Sequence, residues 1–414
     1  MRNLLGYISF LLLSIFLYCT EEPEFQYIEP EVILPNVLTY ELTFGSDETK
    51  LPEEFLLVRP NPFGAIAVND AGDIYVAEES CVKVYDSNGN HKKLIGRSGE
   101  GPGEFFRAHT PTISPEGYLT VRNTRTIGEN KVNIFGTDDK FIKSVNYTGS
   151  QVFRNVKYSS VPESKNYWEN IGRSNQNLVK VFSLNPDERV LSTSDEDTRG
   201  QSEGYNVLYY ENADTMFIII QFKKWGEFFN GQKWLFTHSL YGDLHWDILP
   251  DKRIIYINSG PLELNERGEP FYTLHILSLK TFEEKEISQP YNPIVIPNSV
   301  LDSDLEKYRD SPKNLRNVKV AKKLLSERKH YASIQKLLVD GYYVFEFTIQ
   351  KNEAGESLVD IFNMKQEKYL HSAYFSVTPD VIKNGYAYLI KNELSRDKFP
   401  IVEKYKHEPA VYGK

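Results

Sequence analysis

Side chains capable of catalysis are scattered along this chain. Its 414 residues include eight histidines and two cysteines. The histidines form neither an HExxH motif nor another close pair, and no GxSxG sequence marks a nucleophilic serine. A transition metal needs three or four converging ligands, and spacing alone leaves open whether distant segments converge. The sequence therefore predicts no catalytic residues and no metal ligands.

Two other patterns could bind ions. The glycine-rich stretch Gly96–Gly103 ends in Glu104-Phe105 and not in the Lys-Ser/Thr of a phosphate-binding loop, which predicts a connecting turn. Aspartates that could bind Ca²⁺ fall mainly in predicted turns, where such side chains bond to their own backbone. They are Asp70, Asp73, Asp138, Asp139 and Asp251. We expect no cofactor, with Ca²⁺ as the alternative left open.

Short β-strands must position these residues. Predicted strands at Ala65–Val68, Ile74–Ala77, Val82–Tyr85 and His91–Ile95 are separated by turns rich in Asn, Asp and Gly. Four strands in about 45 residues form the unit of a β-propeller blade. The pattern recurs at 111–135, and more faintly at 247–279, 337–363 and 380–405.

The same repeats indicate how the domain closes. The alternating segment Val37–Phe44 can pair with Ile401–Lys406, so that no strand edge is left exposed. Leu301–Lys329 mixes apolar and charged residues and predicts one or two short helices, interrupted at Pro312. We predict an all-β domain over 37–408, a six-bladed β-propeller with a helical insertion at 301–329. Seven blades are the alternative.

Residues 61–89 also carry a family resemblance. Their Pro-x-Gly-x-Ile-Ala-Val, Gly-x-Ile-Tyr-Val-Ala and Val-x-Val-Tyr-x-x-x-Gly segments resemble the NHL repeat. The loop after them and the C-terminal IKNGYAYLI…VEKYK resemble six-bladed NHL-type propeller lipoproteins of Bacteroidota. The resemblance implies a six-bladed, TolB-like propeller and no particular chemistry.

The N-terminal sequence resembles a targeting signal. Leu4–Tyr18 is a nearly unbroken apolar run of 15 residues, shorter than the roughly 20 that span a bilayer and suited to a signal peptide. The run ends at Cys19, before a polar stretch, which resembles a bacterial lipoprotein signal. We predict a signal peptide at 1–18, lipid attachment at Cys19 and a tether at 19–36. An uncleaved anchor or an ordinary signal peptide is the alternative. We expect an outer-membrane lipoprotein. The acidic residues after Cys19 resemble a surface-export signal, which leaves display on the cell surface open.

Candidate ligand-binding residues follow from the predicted fold. The loop before each innermost strand leads to the channel mouth, and Arg59, Arg107, His109 and His245 occupy such positions. They could bind an anionic or polar ligand, or could simply face solvent. Trp225, within the aromatic-rich segment 205–246, is the best exposed aromatic candidate, although most of that segment is expected to pack between blades.

The net charge of the chain limits the classes of partner it can bind. The formal net charge is -9, which argues against a nucleic-acid binder, because such proteins need a basic face. We expect a module tethered to the outer membrane, through its lipid anchor only, that binds a protein, peptide or glycan at the cell envelope. The alternative is a propeller enzyme, a metal-assisted hydrolase or a lyase, with its site in the axial channel. A third hypothesis is a subunit of a surface assembly that uses the 301–329 insertion.

Overall fold

The computed structural model describes most of the predicted domain. The described residues are 30–60, 64–125, 131–147, 156–158, 175–196, 204–213, 215–223, 227–230, 233–237, 242–260, 262–297, 299, 329–391 and 399–414. Cys19, Trp225 and nearly all of the predicted helical insertion lie outside them. Within these ranges no helix is long and apolar enough to cross a membrane.

Six sheets of at least four strands form the blades of a β-propeller, so the predicted all-β, six-bladed fold is confirmed. Strands are numbered in chain order. Blade 1 has β3 (Ile66–Val68), β4 (Ile74–Glu78), β5 (Cys81–Tyr85) and β6 (His91–Ile95); blade 2 has β7 (Ala108–Ile113), β8 (Leu119–Asn123), β9 (Lys131–Phe135) and β10 (Phe141–Asn146). Blade 3 has β12 (Asn175–Asn185), β13 (Glu188–Glu196), β14 (Gly204–Asn212) and β15 (Thr215–Lys223). Blade 4 has β18 (Leu244–Ile248), β19 (Arg253–Asn258), β21 (Pro270–Ser278) and β22 (Glu284–Pro290), with the short β20 (Glu263–Leu264) beside β21.

The last two blades include N-terminal strands. Blade 5 has β23 (Ile334–Asp340), β24 (Tyr343–Lys351), β25 (Ser357–Asn363), β26 (Lys368–Phe375) and, parallel to β26, β1 (Ile33–Leu34). Blade 6 has β27 (Val381–Lys383), β28 (Tyr386–Lys391), β29 (Ile401–His407) and β2 (Leu38–Phe44). A parallel strand, β11 (Val156–Tyr158), also extends blade 3, and β16 (Glu227–Asn230) pairs with β17 (Lys233–Thr237).

Strand β2 closes the ring in the way the sequence predicts. It runs antiparallel to β29, with Leu38 opposite His407 and Phe44 opposite Val402. An N-terminal strand thereby covers the outer edge of the last blade, which would otherwise expose unpaired backbone groups. Strand β1 lies within the segment predicted as a tether, so the chain joins the propeller surface before residue 37.

The core lies between blades. Six clusters of buried apolar side chains each join two neighbouring blades, and together they run once around the ring. The aromatic-rich segment contributes to this core, because Tyr209, Phe222 and Trp246 are buried within it. Burial of both blade faces explains why the inner strands read as continuous apolar runs.

Local turn chemistry sets the blade hairpins. In blade 1, the Asn69 side chain accepts a hydrogen bond from the Asp73 amide at 2.8 Å, and Gly72 has a φ of 85°. Gly117 takes the same place in blade 2, with a φ of 88°. These left-handed positions favour glycine, so the spacing of Gly residues marks the repeat in the sequence.

Candidate anion-binding site

Three basic side chains approach one another at the start of the innermost strand of blade 2. His109 on β7 is directly opposite Arg122 on β8, and Arg107 immediately precedes β7. Opposed residues of an antiparallel pair project from the same face with Cβ atoms about 5 Å apart. The charges of both arginines act on the His109 imidazole. The structure therefore brings together two of the predicted residues, Arg107 and His109, and adds Arg122.

Among the described residues, Arg122 has no counter-ion. Burial lowers the pKa of its guanidinium to about 10, so the group remains charged at neutral pH. The side chain is partly buried, and its Nε atom is buried and makes no hydrogen bond with the described residues. Withdrawing part of a charge from water without a partner is unfavourable. A bound anion would offset that cost, and guanidinium geometry favours a carboxylate or phosphate.

The pKa of His109 reflects the same excess of positive charge. Its pKa is lowered to about 4, first by burial and then by the charges of Arg122 and Arg107. The imidazole is therefore neutral at pH 7. An anion bound between these groups would favour the imidazolium and raise this pKa.

Arg122 was not among the predicted site residues, because it lies within the recurring strand pattern at 111–135. Its neighbours Leu119 and Val121 are fully buried, as expected for a blade interior. The one available signal was a long cationic residue that directly follows the apolar Val121 in a blade strand. That signal gains meaning only from the register that sets it opposite His109.

His245 lies at the start of β18, the innermost strand of blade 4, but its imidazole is engaged between blades. Burial lowers its pKa, Asp243 opposes that shift, and the imidazole hydrogen-bonds to the backbone of Ile334 in blade 5. Nearby, Lys180 Nζ lies 3.0 Å from Asp247 Oδ2 and joins blade 3 to blade 4. These groups hold neighbouring blades together at the channel.

Arg59 lies in the loop before β3, as predicted, and is 78% exposed. Its guanidinium lies 3.4 Å from Glu79 in an exposed ion pair. Such pairs contribute little to stability and leave the cation accessible. The structure gives Arg59 no contact with the blade 2 cluster among the described residues. The proposed roles of Cys19 and Trp225 remain predictions, because both residues fall outside the described ranges.

The glycine-rich stretch and the turn aspartates, the two patterns that could bind ions, both make ordinary structural contacts. Glu104 pairs with Arg97 at 2.7 Å and accepts a hydrogen bond from the Gly101 amide at 2.8 Å, so the glycine-rich stretch forms the turn between β6 and β7. The five turn aspartates each contact a lysine or arginine: Asp70 with Lys383, Asp73 with Lys92, Asp138 with Lys140, Asp139 with Lys93, and Asp251 with Arg253.

A cavity of about 220 Å³ lies between blades 4 and 5. Its walls include Tyr291, Tyr369, Asn292 and Asp360. The Asp360 carboxylate accepts hydrogen bonds from Ser372 at 2.5 Å and from Tyr272 at 2.6 Å, and burial raises its pKa. Aromatic rings and a few polar groups in its walls make this cavity a second place where a small ligand could bind.

Behind that wall, Glu346 is opposite Asp360 in the β24–β25 register. It is fully buried and lies beside the Tyr272 hydroxyl. Burial raises the pKa of Glu346 well above its ordinary value, and the Asp360 charge adds to the effect. The fold therefore favours the protonated form of this pair.

No family model and no curated protein matches this chain. Among solved structures, a candidate exported protein of Bacteroides fragilis is similar at 12% identity and a TM-score of 0.46, covering 92% of this chain and 98% of that one. A Penicillium chrysogenum α-L-arabinanase is similar at 9% identity and a TM-score of 0.40, covering 89% and 98%. The β-propeller domain of a Pyrococcus furiosus protease is similar at 9% identity and a TM-score of 0.32, covering 80% and 78%.

Proposed function

We propose that this protein is a binding module of the cell envelope that holds a carboxylate-bearing ligand against Arg122, His109 and Arg107. The observation that carries the proposal is the charged Arg122 side chain, whose Nε is buried without a hydrogen bond and with which no carboxylate of the described residues pairs. A peptide carboxylate or an acidic sugar of a glycan would supply the missing negative charge. Both are chemistries of the partners expected from the sequence.

The charges along the inner strands support binding more than catalysis. Lys180 pairs with Asp247, and Lys336 lies 3.5 Å from Asp380, so each of these cations joins one blade to the next. The His245 imidazole is tied to blade 5. A general acid or base must be able to reach a substrate proton. An enzyme with its site in the axial channel is the alternative function, and it would have to release these contacts.

Envelope attachment rests on the apolar run Leu4–Tyr18 and on Cys19. Lipid attachment would anchor the propeller to the outer membrane without a spanning segment. The test compares the unaltered protein with Cys19→Ser in intact cells by membrane fractionation and crosslinking. We expect a membrane-associated protein partner that is lost with Cys19→Ser. Equal membrane association of both forms would refute the anchor.

The binding site is tested by calorimetry on the chain that begins at residue 20. The probes are Ala-Ala with a free carboxylate, the same dipeptide as its C-terminal amide, and glucuronic acid. A hydrogen bond to a charged group contributes about 1.5–3 kcal/mol, so Arg122→Gln should weaken carboxylate binding by roughly 10- to 150-fold. The two carboxylate probes distinguish a peptide from an acidic sugar.

The matched control is Arg267→Gln, which removes an exposed arginine from blade 4 and should leave binding unchanged. The amide probe should bind more weakly than the free dipeptide. Failure of both carboxylates to bind the unaltered protein, or equal binding by Arg122→Gln, would refute this site.

A further inference from the structure

A second cluster lies on blade 4, away from the basic site. His275 on β21 is directly opposite Glu286 on β22, and Glu284 lies two residues earlier on the same strand. The ligand atoms of these three side chains all lie within 4.8 Å of one another. His275 Nδ1 lies 2.9 Å from Glu284 Oε1 and 3.5 Å from Glu286 Oε1.

These separations fit a small divalent ion. Ligands about 2.0–2.1 Å from a tetrahedral zinc ion lie about 3.4 Å from each other. The His275–Glu286 distance already matches this value, and the His275–Glu284 distance needs to open by about half an ångström. Glu284 is 40% exposed, so its side chain can make that adjustment.

The imidazole nitrogen of this cluster faces the two carboxylates. His275 Nδ1 is buried and lies 2.9 Å from Glu284 Oε1. A metal ion would use the nitrogen lone pair and both carboxylates at once.

Tyr256 on β19 holds two of the three side chains in place. Its ring stacks on the His275 imidazole with centroids 4.5 Å apart and an interplanar angle of 6°. Its hydroxyl donates a hydrogen bond to Glu284 Oε1. Hydrogen bonds of this kind orient metal ligands and are typical of built sites.

The local charge also favours a cation. Within the described residues no lysine or arginine pairs with Glu284 or Glu286, and the intervening Lys285 reaches away to Glu367 at 2.6 Å. Glu263 on the adjacent β20 adds a further carboxyl group close to His275 and Glu286. An excess of negative charge therefore surrounds one imidazole.

We propose that His275, Glu284 and Glu286 bind a divalent transition-metal ion of the zinc class. An imidazole with two carboxylates suits zinc and its neighbours, whereas Ca²⁺ prefers oxygen ligands alone. Three protein ligands leave a fourth position open, and the 62% exposure of Glu286 shows that it faces water. The site is separate from the proposed carboxylate site in blade 2.

The test is titration of the metal-free chain from residue 20 with Zn²⁺, followed by calorimetry and by competition with a chromogenic chelator. We expect one ion per chain. Loss of a ligand in His275→Gln should weaken binding by at least about 100-fold, and loss of the orienting hydroxyl in Tyr256→Phe by about 10-fold. Co²⁺ should give the visible absorption of a tetrahedral site in the unaltered protein.

His91→Gln is the matched control, because it removes an exposed histidine from blade 1. It should bind Zn²⁺ like the unaltered protein. Circular dichroism and urea unfolding establish that His275→Gln is folded, and Glu286→Gln gives a second variant at the exposed end of the site. If the cluster is only an ion pair between imidazolium and carboxylates, the unaltered protein will bind Zn²⁺ no better than His275→Gln. That result would overturn the proposal.

Discussion

The buried carboxyl group of Glu346 predicts an unusual pH dependence of stability. This side chain has no exposed surface, faces Asp360 across the strand pair, and has a pKa raised well above its ordinary value by burial. The folded protein therefore binds a proton that the unfolded chain has released above about pH 4.3. Because the folded state binds more protons, stability falls as pH rises through this window.

The size of the effect follows from proton linkage. Each pH unit between the unfolded and the folded pKa costs about 1.4 kcal/mol for one proton. The cost accumulates over every pH unit in which the folded protein keeps this proton. Glu346→Gln replaces the carboxyl group with a neutral amide of similar shape. The variant should gain stability relative to the unaltered protein as pH rises from 5 to 7, by up to about 1.4 kcal/mol per pH unit.

Urea unfolding at pH 5, 6 and 7, followed by intrinsic fluorescence, measures this difference. Asp360→Asn tests the partner carboxyl, and the two groups should titrate as a coupled pair. Glu353→Gln is the control, because it changes an exposed glutamate in the β24–β25 turn of the same blade. If Glu346→Gln and the unaltered protein differ by a constant amount across the three pH values, Glu346 does not retain its proton and the reasoning fails.

Three further predictions concern stability. Burial lowers the pKa of His407 to about 4, so the protein should lose stability as pH falls from about 6.5 towards 4. His407→Gln should remove about 3 kcal/mol of that loss, measured by unfolding at a series of acidic pH values. Gly96→Ala should lower the free energy of unfolding by more than about 2 kcal/mol, because its Cβ would lie 2.4 Å from the Phe105 ring. Gly268→Ala, at a similar φ but with open space around it, should cost only about 1 kcal/mol. Equal losses in urea unfolding would contradict the packing argument. Lys83→Met leaves the buried Glu78 carboxylate without its ion-pair partner and should lower the free energy of unfolding by about 3–5 kcal/mol. In a double-mutant cycle, replacing both residues with apolar ones should recover most of that stability.

Much of the fold could be predicted because its blades are local repeats. The first repeat was predicted as four strands, and each was found within one residue of the expected bounds, from β3 (Ile66–Val68) to β6 (His91–Ile95). The pairing of β2 with β29 was also predicted, since an alternating segment at each end of a ring has one clear partner. Alternation and turn residues act over a few positions, so the sequence displays them directly.

The extra strands were not predicted. The two residues of β1 lie in a stretch with no periodicity, and they pair in parallel with β26, more than 300 positions away. A two-residue strand carries no local signal. Its existence depends on an edge that only the assembled blade provides.

The candidate sites divide in the same way. Arg107 and His109 were predicted because residues before an innermost strand lead to the channel. Arg122 was not, because a charge inside a strand signals a site only when its burial and its lack of a counter-ion are known. His275 and Glu286 are 11 positions apart, and only the β21–β22 register sets them opposite each other.

By itself, the sequence determined the repeat, its turns and the strand that closes the ring, because each depends on short-range periodicity or composition. The tertiary structure alone decided which charges were paired. Arg122, Glu346 and His275 gain their chemistry from strand register and from burial between blades, and both depend on contacts between residues far apart in the chain.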